Sequence, residues 1–169
     1  DIEITRLPLE QALELTGIYY YYPNMTEPVL KNVSLTIPAR TTVAFVGESG
    51  AGKSTLVDII LGLLQPTAGS ISVDRKPLTR QNLQAWQRDI GYVPQAIYLA
   101  DDTLRRNIAL GIPDRLIDDS SVEWAARMAS IHDFIVNDLP QGYETIAGDR
   151  GVRLSGGQRQ RIGIARALY

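Results

Sequence analysis

The residues Gly47-Glu48-Ser49-Gly50-Ala51-Gly52-Lys53-Ser54 fit the pattern Gly-x4-Gly-Lys-Ser/Thr. The chemistry it offers is the holding of a nucleotide phosphate chain. Glycines let the backbone take positive φ and approach phosphate without a Cβ clash. The N–H groups of such a loop, from Gly47 through Glu48, Ser49, Gly50, Ala51 and Gly52, point inward as an anion nest. A helix starting at Lys53 adds the partial positive charge of its N-terminus. Lys53 brings a full charge to the β- and γ-phosphates. The Ser54 hydroxyl is a hard oxygen ligand for Mg²⁺, and Thr55 places a second hydroxyl beside it.

A second glycine motif, Leu154-Ser155-Gly156-Gly157-Gln158, lies far downstream before another helical stretch. Ser155 is a good N-cap, and paired glycines expose N–H groups at a helix start. That makes a second anion site. Taken alone, it also reads as an ordinary capped helix after a flexible loop.

These loops need elements to position them. Residues 1–13 read as a linker. Leu15–Tyr22 alternates, with Ile18, Tyr20 and Tyr22 on one face, and predicts a strand; Val29–Ile37 predicts another. Thr41–Val46 is short, β-branched and uncharged, as a buried parallel strand entering the first loop should be. A helix from Lys53 to about Leu64 follows, closed by Pro66 and Gly69. Gly69–Val73 with the Asp74–Lys76 turn predicts a hairpin. Asn82–Arg88 predicts a short helix and Ile90–Pro94 a strand. From Gln95 the character changes: Asp102–Ala109, Val122–Ser130, His132–Asn137 and Gln158–Leu168 all read as helices. A β-rich half thus gives way to a helical half near Gln95.

The chain has 169 residues, 44% hydrophobic and 21% charged, which suits one globular domain with a real core. A net charge of −2 argues against a protein whose main work is gripping nucleic acid. It has no cysteine, so disulfides and zinc–thiolate sites are excluded. Neither a signal peptide nor an apolar run of the ~20 residues that span a bilayer is visible.

With both glycine motifs in this order, the chain resembles the ATP-binding cassette (ABC) family from about Leu15 to Tyr169. Leu154–Gln158 is similar to that family's signature motif letter for letter, and Arg159–Leu168 continues the likeness. The resemblance implies an α/β fold: a P-loop NTPase core with an antiparallel β subdomain and an α-helical signature subdomain. It implies a linker at 1–13, the ATP-binding core with its β subdomain at 14–94, and the helical subdomain at 95–169. In this family two cassettes pack head to tail. Ser155, Gly156, Gly157 and Gln158 of one then cap the γ-phosphate of ATP held on the other's P-loop. By the same resemblance Tyr22, before Pro23, stacks on adenine, although Tyr19, Tyr20 and Tyr21 leave that register open and a strand aromatic facing a core is the alternative. Gln95 matches the glutamine that touches Mg²⁺ or the attacking water, so Lys53 and Gln95 are the expected catalytic residues and Ser54 and Gln95 the expected metal ligands. Thr145–Gly151, with Asp149, is similar to the loop by which exporter cassettes meet transmembrane coupling helices; a charged surface loop is the alternative.

A family cassette continues after the signature helix with an Asp that holds Mg²⁺ through water, a catalytic Glu and a switch His. These would lie beyond Tyr169, so the resemblance implies a cassette truncated before its Walker B motif. The only histidine, His132, cannot be the switch residue by position. The expectation is an ATPase with ATP and Mg²⁺ as cofactors, acting at the cytoplasmic face of the plasma (inner) membrane. Its expected partners are a second nucleotide-binding domain and a transmembrane domain on the same polypeptide, with no nucleic acid. Ser54–Ile60 and Ile97–Ala109 look most like flippases of lipids, lipid-linked oligosaccharides or polysaccharides. A soluble ABC ATPase unlinked to transport is the alternative. No guanine-reading Asn-Lys-x-Asp supports a GTPase, and the signature motif argues against a P-loop kinase.

Overall fold

The alternation of apolar residues in the first strand changes parity partway along. In β1 (Ala12–Tyr20) the buried residues are Leu13 and Leu15, then Ile18 and Tyr20. The switch falls where the pairing to both neighbours shifts register, between Leu15 and Ile18 on one side and Thr16 and Tyr19 on the other. A bulge inserts one residue there and returns the even positions to the core. β1 is central in an antiparallel sheet of order β2-β1-β3-β4, with β2 at Leu30–Pro38, β3 at Ala68–Val73 and β4 at Lys76–Pro77. Asp74 and Arg75, both at positive φ, turn β3 into β4, the backbone of a two-residue hairpin loop.

This computed structural model describes residues 6–148 and 152–169. Asp149, expected in the membrane-facing loop, lies outside them, as do the first five residues of the expected linker. The chain divides into two units, Asp1–Ile90 and Gly91–Tyr169. In the first, the sheet packs with α1 (Lys53–Ile60) and α2 (Leu83–Arg88) around Ile18, Leu56, Ile59, Val73 and Trp86. The Trp86 indole donates to the Ile60 carbonyl at 2.8 Å and so caps the end of α1. In the second, α3 (Leu104–Ile108), α4 (Asp119–Met128), α5 (His132–Asp138) and α6 (Gly156–Leu168) enclose a core of Leu104, Ile108, Ala125, Ile131, Ile135 and Ile162. Among the described residues no helix is long and apolar enough to cross a membrane.

Two predicted strands are not strands. Thr41–Val46 and Ile90–Pro94 carry no strand pairing, and Val46 is 93% and Tyr92 51% exposed. Their composition suits a buried strand, but strand structure exists only in the hydrogen bonds to a neighbour. Among the described residues no strand runs beside either segment. The P-loop is therefore entered from an unpaired segment. The helix after it is also shorter than its apolar spacing implied, closing at Ile60.

The start of β1 is fixed by Asp74. Its carboxylate accepts from the backbone N–H groups of Glu10, Gln11 and Ala12 at 2.8, 2.7 and 2.9 Å. These amides, that of Glu10 first, hold the carboxyl below its ordinary 3.8. A depressed carboxyl pKa contributes stability above the unfolded value and loses it as pH falls through the folded one. Asp74→Asn keeps the shape and tolerates the positive φ, but removes the charge. Denaturant midpoints should show the variant less stable at neutral pH, with the gap closing below pH 3.8. A gap that stays constant into acid would exclude this electrostatic origin.

Candidate functional site

Gly52 sits at φ 81° and precedes α1 as its N-cap. A Cβ there would lie 2.9 Å from Leu30 Cδ2 and 3.0 Å from the Val29 carbonyl oxygen. Glycine is thus required both by the backbone angle and by the closeness of β2. The first turn of α1 holds no acidic residue, so nothing offsets the partial positive charge of its N-terminus. Lys53 arches back over the loop and donates to the carbonyls of Gly47 and Glu48 at 2.8 and 2.6 Å. That holds the ammonium against the first two residues of the loop.

A cavity of about 350 Å³ opens at this point, lined by Tyr22, Val29, Ser49, Gly50, Gly52, Lys53, Ser54 and Thr55. Seven of the expected nucleotide-contacting residues thus meet in one place, although Tyr22 comes from two residues past the end of β1, which closes at Tyr20 and not at Tyr22 as its alternation implied, and the others from the loop and helix. The Tyr22 hydroxyl hydrogen-bonds Thr55 Oγ1 at 3.0 Å. Its ring stands edge-on to Tyr20, 5.1 Å between centroids at 89°. Tyr20 is buried in the core while Tyr22 is 39% exposed. Of the two, only Tyr22 lines the cavity. No spacing along the chain signals the Thr55–Tyr22 contact, since it joins positions 33 apart.

No carboxylate or histidine among the described residues lines this cavity. Among the described residues no group of three His, Cys, Asp or Glu side chains is placed to hold a metal ion. The side-chain oxygens lining it are the hydroxyls of Tyr22, Ser49, Ser54 and Thr55, of which those of Tyr22 and Thr55 already bond each other. They suit a hard cation that arrives already bound to phosphate oxygens.

The other expected site residues lie in the second unit. Gln95 is exposed, in the unpaired stretch before Ile97. Ser155 caps α6: its hydroxyl accepts from the Gln158 N–H at 3.2 Å, and Gln158 Oε1 accepts from the Ser155 N–H at 2.7 Å. This capping box gives Gln158 a structural task that the Ser-x-x-Gln spacing already encodes. Gly156 and Gly157 are exposed. Among the described residues a Cβ on Gly156 would meet nothing within 4 Å, and one on Gly157 only Arg161 Nη2 at 4.0 Å. Neither has positive φ. Glycine in a helix costs up to about 1 kcal/mol relative to alanine. Nothing within the described chain requires it here, so the two positions leave room for a close approach from outside.

His132 opens α5, and its Nδ1 meets the Tyr143 hydroxyl at 2.9 Å. Burial, helped by Glu123, pushes the Tyr143 phenol up to about 12. It keeps its proton at neutral pH and satisfies the imidazole. His132 is thus a hydrogen-bonded side chain of α5.

The ABC transporter family model matches residues 30–169. The chain is 44% identical over 160 residues to an uncharacterized ABC transporter ATP-binding protein, YfiB, of Bacillus subtilis, covering 95% of this chain and 27% of that protein. It is 46% identical over 167 residues to an ATP-dependent lipid A-core flippase of Syntrophus aciditrophicus, covering 98% and 27%. Among solved structures, a bacterial Atm1-family ABC exporter with ATP bound superposes with a TM-score of 0.85 at 34% identity, covering 99% of this chain and 29% of that one. The chain thus spans little more than a quarter of the length of these relatives. Two glycine loops, each at the N-terminus of a helix, and an α/β fold shared over nearly the whole length place this chain in the ABC transporter family.

Proposed function

We propose that this chain is the ATP-binding module of an ABC exporter, coupling ATP binding and hydrolysis to movement of a substrate across a membrane. The observation that carries the reading is the cavity where Tyr22, Lys53, Ser54 and Thr55 converge beside an α-helix N-terminus free of acidic residues. Tyr22 takes the adenine on its open face. Gly47–Gly52 and Lys53 take the phosphates. Ser54, with Gln95, holds Mg²⁺, which neutralises phosphate charge when bound. Ser155, Gly156, Gly157 and Gln158 approach the γ-phosphate of ATP on a second copy, and the room left at Gly156 and Gly157 supports this.

The P-loop cavity supplies binding but no group to polarise water. Turnover therefore requires a general base from beyond this cavity. The expected catalytic unit is the full-length protein: a linker at 1–13, an ATP-binding core at 14–94 and a helical subdomain at 95–169, joined to a transmembrane domain and paired with a second cassette. It works at the cytoplasmic face of the membrane. Its cargo class is a lipid, lipid-linked oligosaccharide or polysaccharide, with the lipid favoured by resemblance to the lipid A-core flippase.

The test is the full-length protein in sealed lipid vesicles. Mg²⁺-dependent ATP hydrolysis with ATP-driven flipping of a fluorescent lipid is the expected result. Hydrolysis by a protein without membrane-embedded segments would favour a soluble ABC ATPase. The 169-residue stretch by itself is expected to bind ATP weakly and turn over almost none. A sustained, Lys53-dependent rate from it would overturn the account of a base from beyond the cavity.

A further inference from the structure

Arg166 lies near the far end of α6 from Ser155, about 15 Å along the helix from Gly156 at 1.5 Å per residue. Its side chain is part-buried, and burial draws its pKa below the ordinary arginine value. The guanidinium nonetheless stays charged at neutral pH. Among the described residues its three hydrogen-bond partners are neutral oxygens. It donates to the Tyr98 carbonyl at 3.0 Å, the Asn107 carbonyl at 2.9 Å and Asn107 Oδ1 at 3.5 Å. Placing a cation among neutral groups is costly where an apolar side chain would fill the space. What a guanidinium supplies instead is a rigid fork of donors joining two separate segments.

The segments it joins form one piece of backbone. Asn107 is fully buried. Its Oδ1 accepts from the Ala100 N–H at 2.8 Å, and its Nδ2 donates to the carbonyls of Ala100, Asp102 and Thr103 at 3.0, 3.1 and 3.0 Å. Two more contacts press the stretch from Gly91 onto α6. A Cβ on Gly163 would lie 2.4 Å from Ile97 Cδ1, and one on Gly91 would lie 2.7 Å from the Ala167 carbonyl oxygen. The segment carrying Gln95 is thus held to α6 at Gly91, Ile97 and Tyr98, on both sides of the glutamine. The grip extends further, because Leu104 N–H donates to the Thr145 carbonyl and Ala147 N–H to that of Asp102.

We propose that Arg166 is a positioning residue that fixes Gln95 to the signature helix, so that α6, Gln95 and residues 145–147 move as one body. Displacement of the Ser155 end of α6 by a ligand then displaces Gln95 with it, without any contact between the two motifs. The catalytic consequence rests on the proposed reading that Gln95 acts at the nucleotide. The mechanical statement does not.

The experiment separates the two. The chain has no cysteine, so Ala96→Cys in a full-length protein cleared of other thiols takes a single nitroxide beside Gln95. Arg166→Met keeps length and removes the donors. It should raise the mobility of the label and lower kcat about tenfold, with KM for ATP changed less than about twofold. Arg166→Lys, with one donor group instead of a fork, should fall between. If Arg166→Met does not fold, Ile97→Ala removes the adjacent apolar contact, leaves every polar partner satisfied and should loosen the label to a smaller degree. An unchanged label spectrum in the folded variant overturns the proposal. A loosened label with unchanged kcat confirms the mechanical link and overturns instead the role given to Gln95.

Discussion

Replacing Lys53 with alanine should weaken nucleotide binding by about ten- to a hundredfold while leaving the fold intact. Among the described residues the Lys53 ammonium donates to two exposed loop carbonyls, which water satisfies in its absence. Alanine is the best helix former at the first position of α1. The stability change should therefore stay within about 0.5 kcal/mol, as for surface substitutions generally. Binding is different, because the hydrogen bonds lost are charged ones. Each is worth about 1.5–3 kcal/mol, which lowers ATP affinity by about ten- to a hundredfold. Hydrolysis by the full-length protein should fall by at least about a hundredfold, since the same charge stabilises the transferring phosphoryl group. Titration with a fluorescent ATP analogue, alongside thermal unfolding, checks both halves. Wild-type affinity in the variant would remove Lys53 from the nucleotide site.

Gly156→Asp should give the complementary result, with binding kept and turnover lost. The position is exposed, and a side chain there meets nothing within 4 Å among the described residues. Aspartate in the first turn of α6 also complements the helix dipole, so the unit should fold at least as well as before. The P-loop is untouched, and ATP affinity should stay within about twofold, the scale of additive distant changes. If α6 of one copy faces the γ-phosphate on the other, the new carboxylate meets like charge. Turnover should then fall by about a hundredfold or more, comparable to the loss of a donor from a transition-state site. Mixed dimers sharpen the test. With Lys53→Ala on one subunit and Gly156→Asp on its partner, one shared site is damaged twice and the other stays whole, so activity survives. With both changes on one subunit, each site carries one defect and activity disappears. Equal activity in the two arrangements would rule out a site split between copies.

Much of this was legible along the chain. The P-loop pattern, the N-cap at Ser155, the first two strands and the helices are local properties. Each depends on residues within a turn or two: glycine angles, cap oxygens and apolar periodicity. The Ser155–Gln158 capping box was equally legible in its spacing, although Gln158 first drew notice as a letter of the signature. Local signals failed where structure depends on a neighbour. Thr41–Val46 and Ile90–Pro94 have strand composition, but no strand lies beside them among the described residues to accept their hydrogen bonds. Composition states what a segment tolerates, and pairing decides what it becomes.

The sequence by itself determined the chemistry: a phosphate cradle at Gly47–Ser54, a second glycine loop at Leu154–Gln158, and membership of a family that uses both. Only the tertiary structure decided which aromatic faces the cradle, because the bulge in β1 turns Tyr20 inward and chain folding brings the Tyr22 hydroxyl to Thr55. Only the tertiary structure showed that nothing among the described residues requires Gly156 to lack a side chain, and that Arg166 grips a carbonyl 68 positions away. Hydrogen bonds and contacts of this kind join residues that folding alone makes neighbours, and no spacing along the chain encodes them.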